Sequence, residues 1–287
     1  MLACLCYPLV QHSAVPKVTN NTSSLELTNV QTPQVSAPNF LPNPAQVKSM
    51  FGVEISEQRI RLKPNFKTVK PIPDFALIEP VMLRKKAYFT YIAQAVDQIN
   101  AVIEQQRKFV QLIDAQLRND PKYQLLPQER DAWIFLLEEY RVKDSDLSRQ
   151  VTTLLRRVDT IPKPLVLVQT ANESGWGTSR FAQLGYNFFG LWCYREGCGF
   201  VPKMRPAGAN YEVAKFSSLP AATYAYMRNL NRNPAYAEMR QIRAKTNDQD
   251  TFKQAYAMIE GLKAYSQRGS EYIEELHAML RVNREFL

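Results

Sequence analysis

In the stretch QTANESGWGTSRFAQLGYNFFGLW (residues 169–192) Glu173 is the only carboxylate, placed between an apolar run and a burst of glycines and aromatics. The preceding residues, KPLVLVQTANE, read as a helix whose last turn carries this acid, on one stripe with Val166, Gln169 and Thr170. The negative end of a helix dipole disfavours an ionised carboxylate there. Apolar neighbours and Trp176 add desolvation, which also raises a carboxyl pKa. Both effects favour an acid still protonated near neutral pH. A general acid needs that state when a glycosidic oxygen must gain a proton as its bond breaks. The plainer alternative is a surface glutamate at a helix end.

The surroundings weigh towards chemistry. Trp176, Tyr186, Phe188, Phe189, Trp192 and Tyr194 crowd into nineteen residues, and flat rings suit the apolar faces of pyranose sugars, although a dense aromatic cluster also serves as core. Rival chemistries lack their residues. There is no G-x-S-x-G elbow, and Ser174 has no histidine base near it. H-E-x-x-H, the P-loop and G-x-G-x-x-G are all absent from the sequence. The two histidines, His12 and His277, stand apart, so neither a metal nor a cofactor is expected. His277, beside Leu276 on an amphipathic helix, reads as structural or exposed.

Helices must position these groups. From Val81 an apolar 3–4 spacing (Tyr88, Ile92, Ala95, Ile99, Val102, Phe109, Ile113, interrupted by Gln106) predicts a helix ending before Asn119-Asp120-Pro121. A second follows Pro127, and a third spans DSDLSRQVTTLLRRVD, with acids first and arginines last. The stripe from Val81 reads as core rather than as a coiled-coil partner face. Thr160 or Asp159 is expected to cap the helix bearing Glu173, with Pro162 in its first turn. Gly175 supplies its left-handed stop. TSRFAQLG reads as a short capped helix ending at Gly185, and residues 192–216 as a loop or small hairpin. Helices are expected around 218–230 and 248–261, and from Ser270 a last one burying Ile273, Leu276 and Leu280.

The chain has 287 residues and a net charge of +9, of which +5 falls in residues 161–287. That excess suits either an anionic polymer or an ordinary solvated surface. No dense basic block interleaved with stacking aromatics argues for nucleic acid. Residues 1–80 hold ten of the eighteen prolines and read as a largely disordered linker after a signal remnant. MLACLCYPLV is too short to span a bilayer and lacks a basic start. It resembles the tail of an export signal, and Leu2-Ala3-Cys4 echoes a lipoprotein processing site. Cys193 and Cys198, five residues apart around Gly197, suit a small disulfide loop and hence an oxidising compartment. Zinc binding and buried free thiols are the alternatives.

The stretch ANESGWGTSRFAQLGYNFFGLWCY resembles the glucosaminidase domain of glycoside hydrolase family 73. Within it the chain is most similar to the Bax-type exported bacterial proteins, through LLRRVDTIP, NFFGLWCYREGCG and EVAKFSSLPAATYAYMRNLNRNPAY. The resemblance covers roughly residues 80–287. It implies a mainly α, lysozyme-like fold with a small irregular or β lobe beside a substrate cleft. The domains are then residues 1–80, a helical segment 81–153 packed on the rest, and a catalytic domain 154–287. It also implies cleavage of the β-1,4 bond after N-acetylglucosamine in peptidoglycan, in the periplasm or cell envelope, by a monomer with no membrane tether beyond an N-terminal signal or lipid anchor.

Carried over by position, Glu173 matches the general acid of the family. Tyr265, in AYSQRGSEY, matches a cleft tyrosine, although Gln267-Arg268-Gly269 replaces the expected T-D-P. Trp176, Asn187, Phe189 and Gly190 match positions that shape the sugar site, and Trp192 and Tyr194 extend it. The second carboxylate of many members sits in a hairpin that is shorter here and contains only Glu196 and Glu212. Either is a candidate base. An acetamido sugar can also attack its own anomeric carbon and dispense with a protein nucleophile.

Overall fold

The computed structural model describes residues 71–287 apart from 204 and 207, together with residues 55–56, 59–60, 62–64 and 66. The export-signal reading, Cys4, Cys6 and His12 lie outside the described residues. The molecule is mainly helical with a small three-stranded antiparallel sheet, the lysozyme-like arrangement anticipated from the motifs. A two-stranded hairpin, β1 (Ile55–Ser56) with β2 (Arg59–Ile60), precedes the helical body.

Helix α1 (Val81–Asn119) runs unbroken for 39 residues, about 58 Å at 1.5 Å per residue. It ends where Asp120 turns extended ahead of Pro121. Its inner stripe, including Tyr88, Ile92, Ile99, Phe109 and Ile113, is buried in one continuous core. Gln106 interrupts that stripe chemically but not sterically. Its amide oxygen accepts from the Tyr140 hydroxyl at 2.6 Å and its nitrogen donates to the Leu62 carbonyl at 3.0 Å. Packing begins ahead of α1: Phe75 is fully buried, edge-on to Tyr88 at 5.1 Å.

Helices α2 (Pro127–Glu139) and α3 (Leu147–Arg157) pack beside α1. The end carbonyls of α3 are satisfied by arginines: Arg107 donates to Leu155 and Val158, and Arg243 to Arg156. Helix α4 (Lys163–Ser174) starts at Pro162 with no side-chain cap. Neither Thr160 nor Asp159 caps it. One Asp159 oxygen accepts from the adjacent Thr160 N–H, and the other lies 3.4 Å from Arg107 and 3.6 Å from Arg243. Those ion pairs hold the carboxylate away from the helix start. Residues 164–171 of α4 are buried on every side, among α1, α8 and α9, which explains the unbroken apolar run.

Ser174 ends α4 structurally. Its hydroxyl donates to the Thr170 carbonyl, accepts from the Gly177 N–H and lies 3.0 Å from the Tyr88 hydroxyl. Gly175, Trp176 and Gly177 all take positive φ, so the chain reverses within three residues. Helix α5 (Arg180–Gly185) follows, capped by Ser179. The lobe then comprises β3 (Trp192–Cys193), β4 (Gly199–Phe200) and a central β5 (Glu212–Ala214), with Trp192 and Phe200 flanking Val213.

Helix α6 (Leu219–Arg232) leads to α7 (Ala237–Lys245), which the sequence pattern does not announce because it buries only Met239 and Arg243. The helix expected over 248–261 is α8 (Thr251–Ile259), followed by a 3-10 turn, Glu260–Tyr265. The tightening accompanies close packing: a Cβ on Gly261 would sit 2.3 Å from the Met239 Cα. Helix α9 (Ser270–Val282) buries Ile273, Leu276 and Leu280, and also His277, which stacks on Tyr256 at 3.9 Å. Among the described residues no helix is long and apolar enough to cross a membrane.

Gly177 tests the reversal. A Cβ there would meet the Phe75 ring at 2.6 Å, with φ at +78°. Overpacking of this kind costs about 1–3 kcal/mol. Gly177→Ala is expected to lower unfolding free energy by about that amount in urea titrations; wild-type stability would contradict the packing.

Candidate active site

Glu173 sits at the penultimate position of α4, half-buried. Its Oε1 is buried and has no hydrogen-bond partner among the described residues. Burial pushes its pKa up to about 7, against a hydrogen bond from Tyr272 and the charge of Arg268, which pull it down, and Glu275, which adds to the rise. Desolvation is the dominant cause, as the sequence argument required.

The acid is held from two sides. Tyr272, on α9, donates its hydroxyl proton to the Glu173 carboxylate. Gln169, one turn back on α4, donates to the Tyr272 oxygen at 2.8 Å and accepts from the Tyr226 hydroxyl. This chain fixes the Tyr272 oxygen as an acceptor on one side and leaves its proton for the glutamate. On the other side lies Gly190, at φ +63°, where a Cβ would approach Oε2 to 3.1 Å. Only a residue without a side chain lets the loop run this close to the carboxyl.

Tyr265 and Asn187 place that loop. The Tyr265 hydroxyl donates to the Phe189 carbonyl at 2.7 Å, while Phe189 is buried and stacks on Tyr226 at 4.3 Å. Asn187 is buried and donates to the Leu191 and Ala214 carbonyls, both at 2.8 Å, and accepts from the Leu191 N–H. It therefore ties the loop to β5. Glu173, Gly190, Phe189, Tyr265 and Asn187 thus form one assembly, in which Tyr265 and Asn187 act through the backbone.

The remaining candidates are distributed elsewhere. Trp176 faces α1, edge-on to Phe89 at 5.2 Å and to Tyr88 at 5.6 Å. Trp192 meets Tyr211 in the lobe at 5.1 Å. Tyr194 and Glu196 are exposed in the turn beyond β3. Cys193 and Cys198 form a disulfide across that turn.

Glu212 is enclosed on β5. One oxygen accepts from the Gly197 N–H at 3.0 Å and the other from the Gly199 N–H at 2.7 Å, and Arg205 lies 3.9 Å away. These hydrogen bonds, with the Gly197 contact the strongest, hold its carboxyl below the usual range. With Cys193 and Cys198 it forms a cluster of metal-ligand type. Both sulfurs are spent in the disulfide, so the donor set does not suit a metal.

Sequence reasoning does not reach Tyr272 or Glu275. Tyr272 closes the same stretch that contains Tyr265, seven residues on, but only the packing of α9 against α4 brings its hydroxyl to the acid. Glu275 is held by Arg268 at 2.6 Å and Asn172 at 3.2 Å.

In comparisons with known proteins, residues 149–285 match the glucosaminidase family model, described as mannosyl-glycoprotein endo-beta-N-acetylglucosaminidase. The chain is 35% identical over 218 residues to Protein bax of Escherichia coli (strain K12), covering 75% of this chain and 76% of that protein. No solved structure gives a significant match.

The raised acid has a signature in stability. Folding holds a proton that the unfolded chain releases near pH 4.5, so stability falls as pH rises from there through about 7. Glu173→Gln is expected to be the more stable form above pH 7, by about 3 kcal/mol at 1.36 kcal/mol per pK unit, with no gain below pH 4. Thermal or urea unfolding across pH 4–9 checks this; a gain independent of pH would refute it. Glu212→Gln should instead lower the melting temperature, because its amide cannot accept from both glycines.

Proposed function

The chain belongs to the glucosaminidase family, a glycosidase-type domain, and we propose that it is an exported endo-β-N-acetylglucosaminidase of peptidoglycan. On this reading it cleaves the β-1,4 bond after N-acetylglucosamine, and Glu173 is the general acid. The observation that carries the proposal is a half-open carboxyl whose pKa burial pushes to about 7, hydrogen-bonded by a fixed tyrosine. Protonated Glu173 delivers its proton to the leaving glycosidic oxygen as the anomeric bond breaks. The resulting carboxylate is then stabilised by the Tyr272 hydroxyl and by Arg268.

The second step favours help from the substrate itself. Glu212 is occupied by two backbone N–H groups, and the carboxylate acting on Glu173 is Glu275, itself held by Arg268. The N-acetyl carbonyl of the sugar attacks the anomeric carbon from the face opposite the departing oxygen, and water, giving its proton to the Glu173 carboxylate, then opens the cyclic intermediate from the face the leaving group vacated. That route yields the β-anomer. The disulfide and the N-terminal signal-like residues support an oxidising, extracytoplasmic setting.

A second reading, a glycan-binding scaffold with little hydrolysis, draws on the engagement of Glu212 by backbone N–H groups and of Glu275 by Arg268, which leaves no free second acid beside Glu173 among the described residues. Purified sacculi separate the two. The enzyme reading expects soluble fragments ending in reducing N-acetylglucosamine, and binding without release would favour the scaffold.

Glu173→Gln should reduce turnover by about 10²–10⁴-fold, the usual worth of a positioned general acid, with folding intact. Wild-type activity should decline as pH rises through about 7. Persistent muropeptide release by Glu173→Gln, or an α-anomeric first product in proton NMR, would overturn the acid assignment or the substrate-assisted route respectively.

A further inference from the structure

A concavity of ≈470 Å³ opens beside the acid, between the first turns of α1, the end of α4 and the last turns of α9. Asn172, the residue before Glu173, lines it together with Glu275, Trp176, Lys85 and Asn283. Lys85 belongs to α1, outside the matched residues 149–285, so the pocket is completed by a helix the family domain does not supply.

Two of its polar groups lack protein partners. Asn283 is 2% exposed, and its Nδ2 donates to the Met279 carbonyl at 2.8 Å. Its Oδ1 is buried and has no hydrogen-bond partner among the described residues. The Lys85 ammonium lies over the Trp176 ring at 5.4 Å, and among the described residues it has no carboxylate partner. Glu275, by contrast, is already held by Arg268 and Asn172. The remaining wall is aliphatic, from Ala278, Met279 and Val282.

A ligand for this pocket needs an anionic group for Lys85 and small apolar groups for the wall and the indole. A bare neutral sugar has hydroxyls but no anion. A short peptide with a free carboxylate has both. Resting on the glucosaminidase reading above, we infer that this pocket binds the short acidic peptide carried by the glycan, so that peptide-bearing strands are the preferred substrate. The peptide's carboxylate meets Lys85, and its aliphatic side chains rest on Met279, Val282 and Trp176. A peptide bound there lies beside the helix end that presents Glu173, so a strand held by its peptide is held near the acid.

The experiment has two arms, both on the full chain. In the first, acidic peptides released from sacculi by an amidase are titrated into the protein calorimetrically. Saturable binding is expected, weakened tenfold or more by Lys85→Met and by amidation of the peptide's carboxylates, with circular dichroism confirming that the variant is folded. In the second arm, kcat/KM is compared on peptide-bearing and peptide-stripped strands. The wild type should favour the former about tenfold, and Lys85→Met should bring the ratio to about one.

Absence of peptide binding to the wild type, or equal binding by Lys85→Met, overturns the pocket assignment. If both strands are cleaved equally, the substrate preference fails while the glucosaminidase reading stands. Peptide binding that depends on Lys85, with no cleavage of either strand, supports the pocket and sinks the enzyme reading instead.

Discussion

Keeping a proton on one glutamic acid requires removing it from water without offering it a strong cation, and much of this fold is arranged around that condition. Helix α4 is apolar through its whole middle because it is enclosed by α1, α8 and α9. The enclosure delivers Glu173 to a desolvated position at the helix end. The hydrogen-bond donor placed against it is a neutral hydroxyl, that of Tyr272, whose own proton burial secures well above the usual phenol range. Arg268, the nearby cation, is shared with Glu275. A direct arginine partner would have lowered the acid far more strongly.

The loop opposite the acid is fixed just as firmly, but from the lobe. Asn187 and Tyr265 bind its carbonyls, and Gly190 lets it approach the carboxyl without a side chain between them. Further out, Glu212 holds the chain on either side of Cys198 through the Gly197 and Gly199 N–H groups. A buried carboxylate meeting two backbone donors is a strong local tie. The same ties that make it a structural pin occupy both of its oxygens.

Helix α1 links this centre to the rest of the chain. Its middle carries the Gln106 connection to Tyr140 and Leu62, and its first turns supply Tyr88 against Ser174 and Lys85 over Trp176. One element thus both braces the chain reversal after α4 and borders the pocket beside it. Trp176, at a left-handed φ of +58°, sets its indole against Tyr88, Phe89 and Lys85 of α1.

Sequence alone determined the helix-bearing halves, the stop at Gly175 and the position of the acid, because helical periodicity, left-handed glycines and dipole position are local properties. It also determined the disulfide spacing and the family motifs. It missed α7, whose buried face is two residues wide, and misplaced the cap of α4, because Asp159 is drawn to Arg107 and Arg243 from distant helices. Only tertiary structure decided that Glu212 is enclosed, that Trp176 packs against α1 and that Tyr272 and Glu275 stand beside the acid. The first is settled inside the lobe; the others depend on which helices meet at the end of α4, and contact between residues about one hundred positions apart leaves no trace in local spacing.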